Sequence, residues 1–97
     1  MTIDLQTQYA HDSSMVYREI AGEAILVPIR QHKADLDSIY TLDEVGAFVW
    51  SLIDGRRTVQ DLVAAVLDEY DVGPQEVEAD LTDFLRDLEQ IGALRSV

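Results

Sequence analysis

Two spacings of apolar residues divide the chain. Up to Thr41 they come in short runs: Val16, Tyr17 and Ile20 within residues 15–21, then Ala24-Ile25-Leu26-Val27 after a break at Gly22-Glu23. Two such runs around a glycine-bearing break predict a β-hairpin. Pro28 cannot donate to a ladder, so the second strand stops there or turns that position outward. Residues 30–37 are polar, and Ser38-Ile39-Tyr40-Thr41 then offers a short third strand. Ahead of the hairpin, residues 1–14 are mixed and polar with no helical or strand period, which reads as a flexible lead-in to a single domain over residues 15–97.

After Thr41 the period changes to 3.6. Val45, Phe48, Val49, Leu52 and Ile53 fall at i, i+3, i+4, i+7 and i+8, which gathers them on one helix face. Asp43 suits the cap of this helix and Gly55 its end. Thr58 is placed to cap a second stripe of Val59, Leu62, Val63, Val66, Leu67 and Tyr70. Gly73-Pro74 sets a third start, and Gln75 to Ile91 carries Val77, Leu81, Phe84, Leu85, Leu88 and Ile91 before Gly92 closes it. The order is three strands, then three helices, an α+β chain without internal repeats.

Composition narrows what such a chain can do. With 97 residues, 47% of them hydrophobic and 27% charged, it is a globular chain of one domain. It has no cysteine, so disulfides, thiolate metal sites and a thiol nucleophile are excluded. No basic leader precedes an apolar run, and no segment approaches the roughly 18 apolar residues of a membrane span. A cytoplasmic location is the expectation. Nineteen acidic residues against seven basic ones give a net charge of −12. Nucleic-acid binding draws most of its affinity from Lys and Arg, so this field repels nucleic acid, and anionic membranes with it.

Candidate chemistry is thin. His11 lies in the lead-in and His32 in the polar loop; neither has a second imidazole at helical spacing or a carboxylate pair to complete a metal site, so both read as solvated histidines. The five glycines are scattered and form no phosphate cradle. Gly46 alone stands inside a helix, at a cost of about 1 kcal/mol relative to alanine, and either permits a close helix crossing or is merely tolerated. Glu76, Asp80, Asp83 and Asp87 follow i, i+4, i+7 and i+11, the spacing of one solvated face rather than of a calcium loop. Arg56-Arg57 reads as a solvated turn. Trp50, about 200° round the helix from Phe48, packs beneath the strands or forms a contact surface. Nothing here supports a catalyst or implies a cofactor.

The third strand is the informative feature. Three strands leave two edges, and an edge presents unpaired N–H and C=O groups to any extended chain. Residues 38–41 hold no proline and no charge, two common guards against such pairing. At an edge beside the third helix, this strand would accept a peptide as a further strand, with alternate side chains in an apolar furrow. An interior strand, or an edge covered by residues 1–14, is the other arrangement.

The linked patterns Tyr40-Thr41-Leu42-Asp43, Gly46-Ala47-Phe48-Val49-Trp50, Ile53-Asp54-Gly55-Arg56-Arg57-Thr58, Glu69-Tyr70-Asp71-Val72 and Ile91-Gly92-Ala93-Leu94 resemble the PqqD family, coenzyme PQQ synthesis protein D and its relatives, over roughly residues 15–95. Asp43 stands where the family commonly has Asn; both cap helices. The resemblance implies a winged-helix-like domain of three antiparallel strands and three helices. It implies a recognition element and peptide chaperone for ribosomally made, modified peptides, which binds a precursor's leader segment and delivers it to a modifying enzyme, often a radical S-adenosylmethionine enzyme. The pathway would be PQQ biosynthesis or that of a related peptide product. Carried over to this chain, the peptide-binding residues would be Ser38, Ile39, Tyr40 and Thr41 on the strand and Leu81, Phe84, Leu85 and Leu88 on the third helix.

Two rival readings stand beside this one. A winged-helix DNA-binding regulator fits the helix spacing between residues 43 and 70, but residues 58–70, where a recognition helix would lie, contain no Lys or Arg. A homodimer would pair residues 38–42 of two copies.

Overall fold

A computed structural model describes residues 4–28 and 39–97 of the chain. The elements run β1 (Tyr9–His11), β2 (Met15–Ile20), β3 (Glu23–Pro28), β4 (Tyr40–Leu42), α1 (Glu44–Leu52), α2 (Val59–Glu69), α3 (Pro74–Gln90) and β5 (Leu94–Ser96). The α+β order of three antiparallel strands followed by three helices is therefore present in β2, β3, β4 and α1 to α3, with two strands besides.

The β2–β3 hairpin turns at Ala21 and Gly22, both with positive φ (54° and 83°), the twist that a two-residue loop needs to match right-handed strands. Register pairs Ile20 with Glu23 and Met15 with Pro28, so Pro28 ends the strand as its missing N–H requires. β4 joins β3 antiparallel, Leu26 opposite Tyr40 and Ala24 opposite Leu42, in the order β2-β3-β4. Alternation sends Ala24, Leu26 and Leu42 into the core. The third strand thus begins later than its pattern predicts and extends to Leu42; Ser38 and His32 lie outside the described residues.

The helices start where their caps place them. Asp43 accepts the Gly46 N–H at 2.7 Å. Thr58 and Asp61 form a reciprocal capping box, and Pro74 occupies the first turn of α3 after Gly73. At the end of α1 the chain departs from expectation, because Ile53 leaves the helix as its cap and is buried. Gly55 (φ 83°) serves the turn that follows, in which Asp54 accepts the Arg56 and Arg57 N–H groups. One buried cluster runs from Tyr9 and Leu26 through Val49, Trp50 and Leu62 to Leu85, Leu88 and Leu94.

The lead-in is where the sequence reading needs correction. Residues 9–11 pair with β5, and Tyr9 is buried at 4% exposure. The Gly55, Val59 and Gln60 N–H groups donate to the Tyr9, Thr7 and Leu5 carbonyls, which lays this segment across the start of α2. His11 is exposed at one edge yet not simply solvated. Its ring stacks on Trp50 at a 3.7 Å centroid separation and 5° between planes, and Nε2 lies 2.9 Å from the Trp50 carbonyl oxygen. Trp50 is accordingly a core residue, 5% exposed, with His11 of β1 stacked on its ring.

Candidate functional site

β4 pairs with β3 alone, which leaves its outer backbone row without a partner strand among the described residues. Its side chains divide by the strand period: Leu42 enters the core, Tyr40 is half-buried, and Thr41 and Ile39 are exposed. Tyr40 turns toward α3, where its phenol faces Asp87. Burial, and after it the Asp87 carboxylate, hold that phenol above its ordinary pKa. The bare edge and α3 therefore stand side by side.

Past the end of β4, from Asp43 onward, α1, α2 and α3 line a groove of about 340 Å³. One wall is the first half of α1, contributing Val45, Gly46 and Val49; the facing wall is α3, with Val77, Leu81 and Phe84. Val66, Tyr70 and Val72 close the far end from α2 and the loop after it. Asp43, Glu76 and Asp80 stand at the rim. Tyr70 is held in place by an edge-on contact with Phe48 at 5.6 Å, and its phenol is pushed above its ordinary pKa by burial and then by Glu44.

Gly46 explains how the walls come together. A Cβ on Gly46 would lie 3.0 Å from Asp43 Oδ1 and 3.2 Å from the Phe84 ring, so its hydrogen admits both the cap and the aromatic side chain. Of the two readings of this mid-helix glycine, the structure supports the close crossing.

The four residues predicted on the third helix separate. Leu85 and Leu88 have no exposed surface, because the same stripe that makes α3 amphipathic carries them into the buried core cluster. Leu81, 4% exposed, lines the groove floor, and Phe84 is half-buried at its wall. The α1 wall, Tyr70 and Val72 did not figure among the candidates. The available signals were the mid-helix Gly46 and two apolar residues left on the surface, Val45 (38% exposed) and Val72 (41%).

Other features stay bland. The carboxylates of α3 are exposed, and no group of three metal-ligating side chains occurs among the described residues. Arg57 bonds Asp54 at 3.0 Å and the Leu52 carbonyl at 2.9 Å, securing the end of α1. No described helix is long and apolar enough to cross a membrane.

Comparison with known proteins adds two findings. The family model for coenzyme PQQ synthesis protein D (PqqD) matches residues 23–94, which takes in β3, β4, all three helices and the first residue of β5. A solved structure described as TbiB1 in complex with the TbiA(beta) leader peptide is similar at 30% identity and a TM-score of 0.72, over 89% of this chain and 94% of that one. No curated protein matches.

Proposed function

The chain belongs to the PqqD family, and we propose that it is a non-catalytic module that captures the leader segment of a ribosomally made precursor peptide by strand addition to β4 and presents it to a modifying enzyme. The observation that carries this reading is the outer backbone row of β4 (Tyr40–Leu42), without a partner strand among the described residues, together with the apolar groove between α1 and α3 whose lining begins at Asp43, the residue after β4. Backbone bonding supplies affinity for any extended chain, and the groove supplies choice among side chains. The similar TbiB1 structure holds a leader peptide, which favours a peptide guest here.

Guest contacts fall to Ile39, Tyr40 and Thr41 on the strand and to Phe84 and Leu81 on the helix, with Val45 and Gly46 opposite them. The recognition unit spans residues 15–97, and β1 braces it from behind. A radical S-adenosylmethionine enzyme is the partner that the family resemblance favours, and the cytoplasm is where such a precursor would be met.

The test is a titration of 15N-labelled protein with synthetic leader peptides, the TbiA(beta) leader of the similar structure and that of any short precursor gene found beside its own. Amides of residues 39–42 and of the Asp43–Gly46 turn should shift together and saturate. Binding that leaves residues 39–42 unmoved overturns the proposal.

A further inference from the structure

Resting on that reading of β4 and its groove, we infer that the favoured guest is a basic leader segment, one in which Lys or Arg flanks the apolar side chain that enters the groove. The walls are apolar, but the rim carries three carboxylates, Asp43, Glu76 and Asp80, and the lining contains no cation. Exposed Glu44, Asp83 and Asp87 add carboxylates along α1 and α3, with Arg86 the single cation among those of α3.

Fold requirements explain only part of this distribution. Asp43 caps α1, and Glu76 complements the positive end of α3 in its first turn. Asp80 and Asp83 lie beyond that turn, and Asp87 stands near the C-terminal end of α3, where the helix dipole disfavours an anion. The Arg57–Asp54 ion pair lies beyond the opposite end of α1 and does not neutralise the rim, and Arg86, the cation of α3, is not part of the groove lining. The phenols of Tyr40 and Tyr70, one near β4 and one at the far end of the groove, report the same field. Each is held above its ordinary pKa by burial and then by carboxylates, Asp87 and Glu44 respectively.

A guest side chain seated between Val45 and Phe84 therefore has neighbours that pass acidic groups. Asp or Glu at those positions meets like charge in a partly desolvated cleft. Lys or Arg lays its stem along the apolar wall and carries its head to the rim. A second copy of this chain is the wrong occupant, since at −12 it brings its own acidic surface to the contact.

The experiment is a selection from a displayed library of random dodecapeptides at low salt. The targets are the full-length protein and its Glu76→Gln/Asp80→Asn variant, whose changes are on exposed positions. Among recovered peptides, Lys and Arg should outnumber Asp and Glu beside the apolar anchor about fivefold relative to the input library, since two rim charges acting together supply roughly that ratio. The bias should shrink toward the input ratio in the variant and at high salt.

An unbiased set of peptides that still shifts the amides of residues 39–42 overturns the charge inference and leaves strand addition standing. A bias undiminished in the variant overturns it also, because the charge would then be read elsewhere. Peptides that bind without touching residues 39–42, or an empty selection, overturn both readings. A dimer in sedimentation, broken by these peptides, would assign the groove to a second copy and sink the inference.

Discussion

The molecule contains two three-residue strands whose edges differ in what lies against them. One edge of β5 takes up β1, another three-residue strand of the same chain; the edge of β4 away from β3 has no partner strand among the described residues. Backbone capacity is the same at both, so hydrogen bonds alone do not decide which edge acquires a partner. What β1 brings is side chains. Tyr9 fills the core and reaches Glu89 with its hydroxyl at 3.5 Å, and His11 covers Trp50. A three-residue ladder offers only a few bonds at about 1 kcal/mol net each, comparable to the entropy of ordering the residues that make them. An added strand stays in place when an anchoring side chain enters a prepared hollow. β1 performs on its own chain the act proposed for a guest at β4, and the groove bounded by Phe84 is the hollow proposed to take the guest's anchor.

The widest break in this comparison comes from removing the anchor on the closed side. Tyr9→Ala should cost about 3 kcal/mol in urea unfolding, as large-to-small changes at buried aromatics do, and should leave the β1–β5 amides exchanging rapidly. Phe84→Ala is its counterpart on the open side. The ring is half-buried with no partner strand beyond it, so its loss should cost about 1 kcal/mol of stability while leader affinity falls at least tenfold. If the two variants behaved alike, the distinction between a filled and a waiting edge would collapse.

That distinction was half visible before folding was considered. Helix starts were legible because Asp43, Thr58 and Gly73-Pro74 are chemical signals placed directly before their stripes. An accessible edge was one of the arrangements the sequence allowed, because residues 38–41 lack charge and proline, but nothing in those four residues says what lies beside the strand. β1 and β5 were not, since three residues contain too little alternation to show a period, and Tyr9 sits in an otherwise polar stretch. The groove walls failed for a different reason. Leu81, Phe84, Leu85 and Leu88 belong to one apolar stripe, and which part of that stripe a neighbour covers depends on where α1 crosses α3. That crossing is set by Gly46, one atom whose absence has no periodic signature.

His11→Ala gives a smaller effect on the closed side. It removes a parallel ring stack on Trp50 and the bond between Nε2 and the Trp50 carbonyl, about 1 to 2 kcal/mol in combination. The loss should be read by denaturant unfolding together with a change in Trp50 fluorescence, and leader binding should be untouched. Tyr40 provides the matching probe on the open side. Its phenol keeps its proton more firmly in the folded chain than in the unfolded one, by burial first and by Asp87 next. A raised folded pKa stabilises fully below the unfolded value of about 10 and loses that contribution as pH climbs through the folded value. Melting temperatures of the unaltered protein and Tyr40→Phe should therefore run parallel to about pH 9 and diverge above it, with the unaltered protein falling faster. Parallel curves throughout would remove Tyr40 from the α3 contact.

The finest discrimination between the two regions lies in Gly46→Ala, where opposing terms nearly cancel in stability but not in shape. Alanine relieves the helix-interior cost of glycine, about 1 kcal/mol. Against this, the new methyl group meets Asp43 Oδ1 at 3.0 Å and the Phe84 ring at 3.2 Å, so the cap bond to the residue 46 N–H loosens, a loss on the scale of about 1 kcal/mol. The Phe84 ring has room to yield because its other side faces the groove rather than packed core. Unfolding free energy should then change by no more than about 0.5 kcal/mol. The displaced ring occupies volume that a guest side chain needs, so leader affinity should drop severalfold with the stability unmoved. Such a result would tie recognition to the α1–α3 crossing itself. An unchanged affinity would instead confine recognition to the strand edge and make Gly46 a packing residue alone.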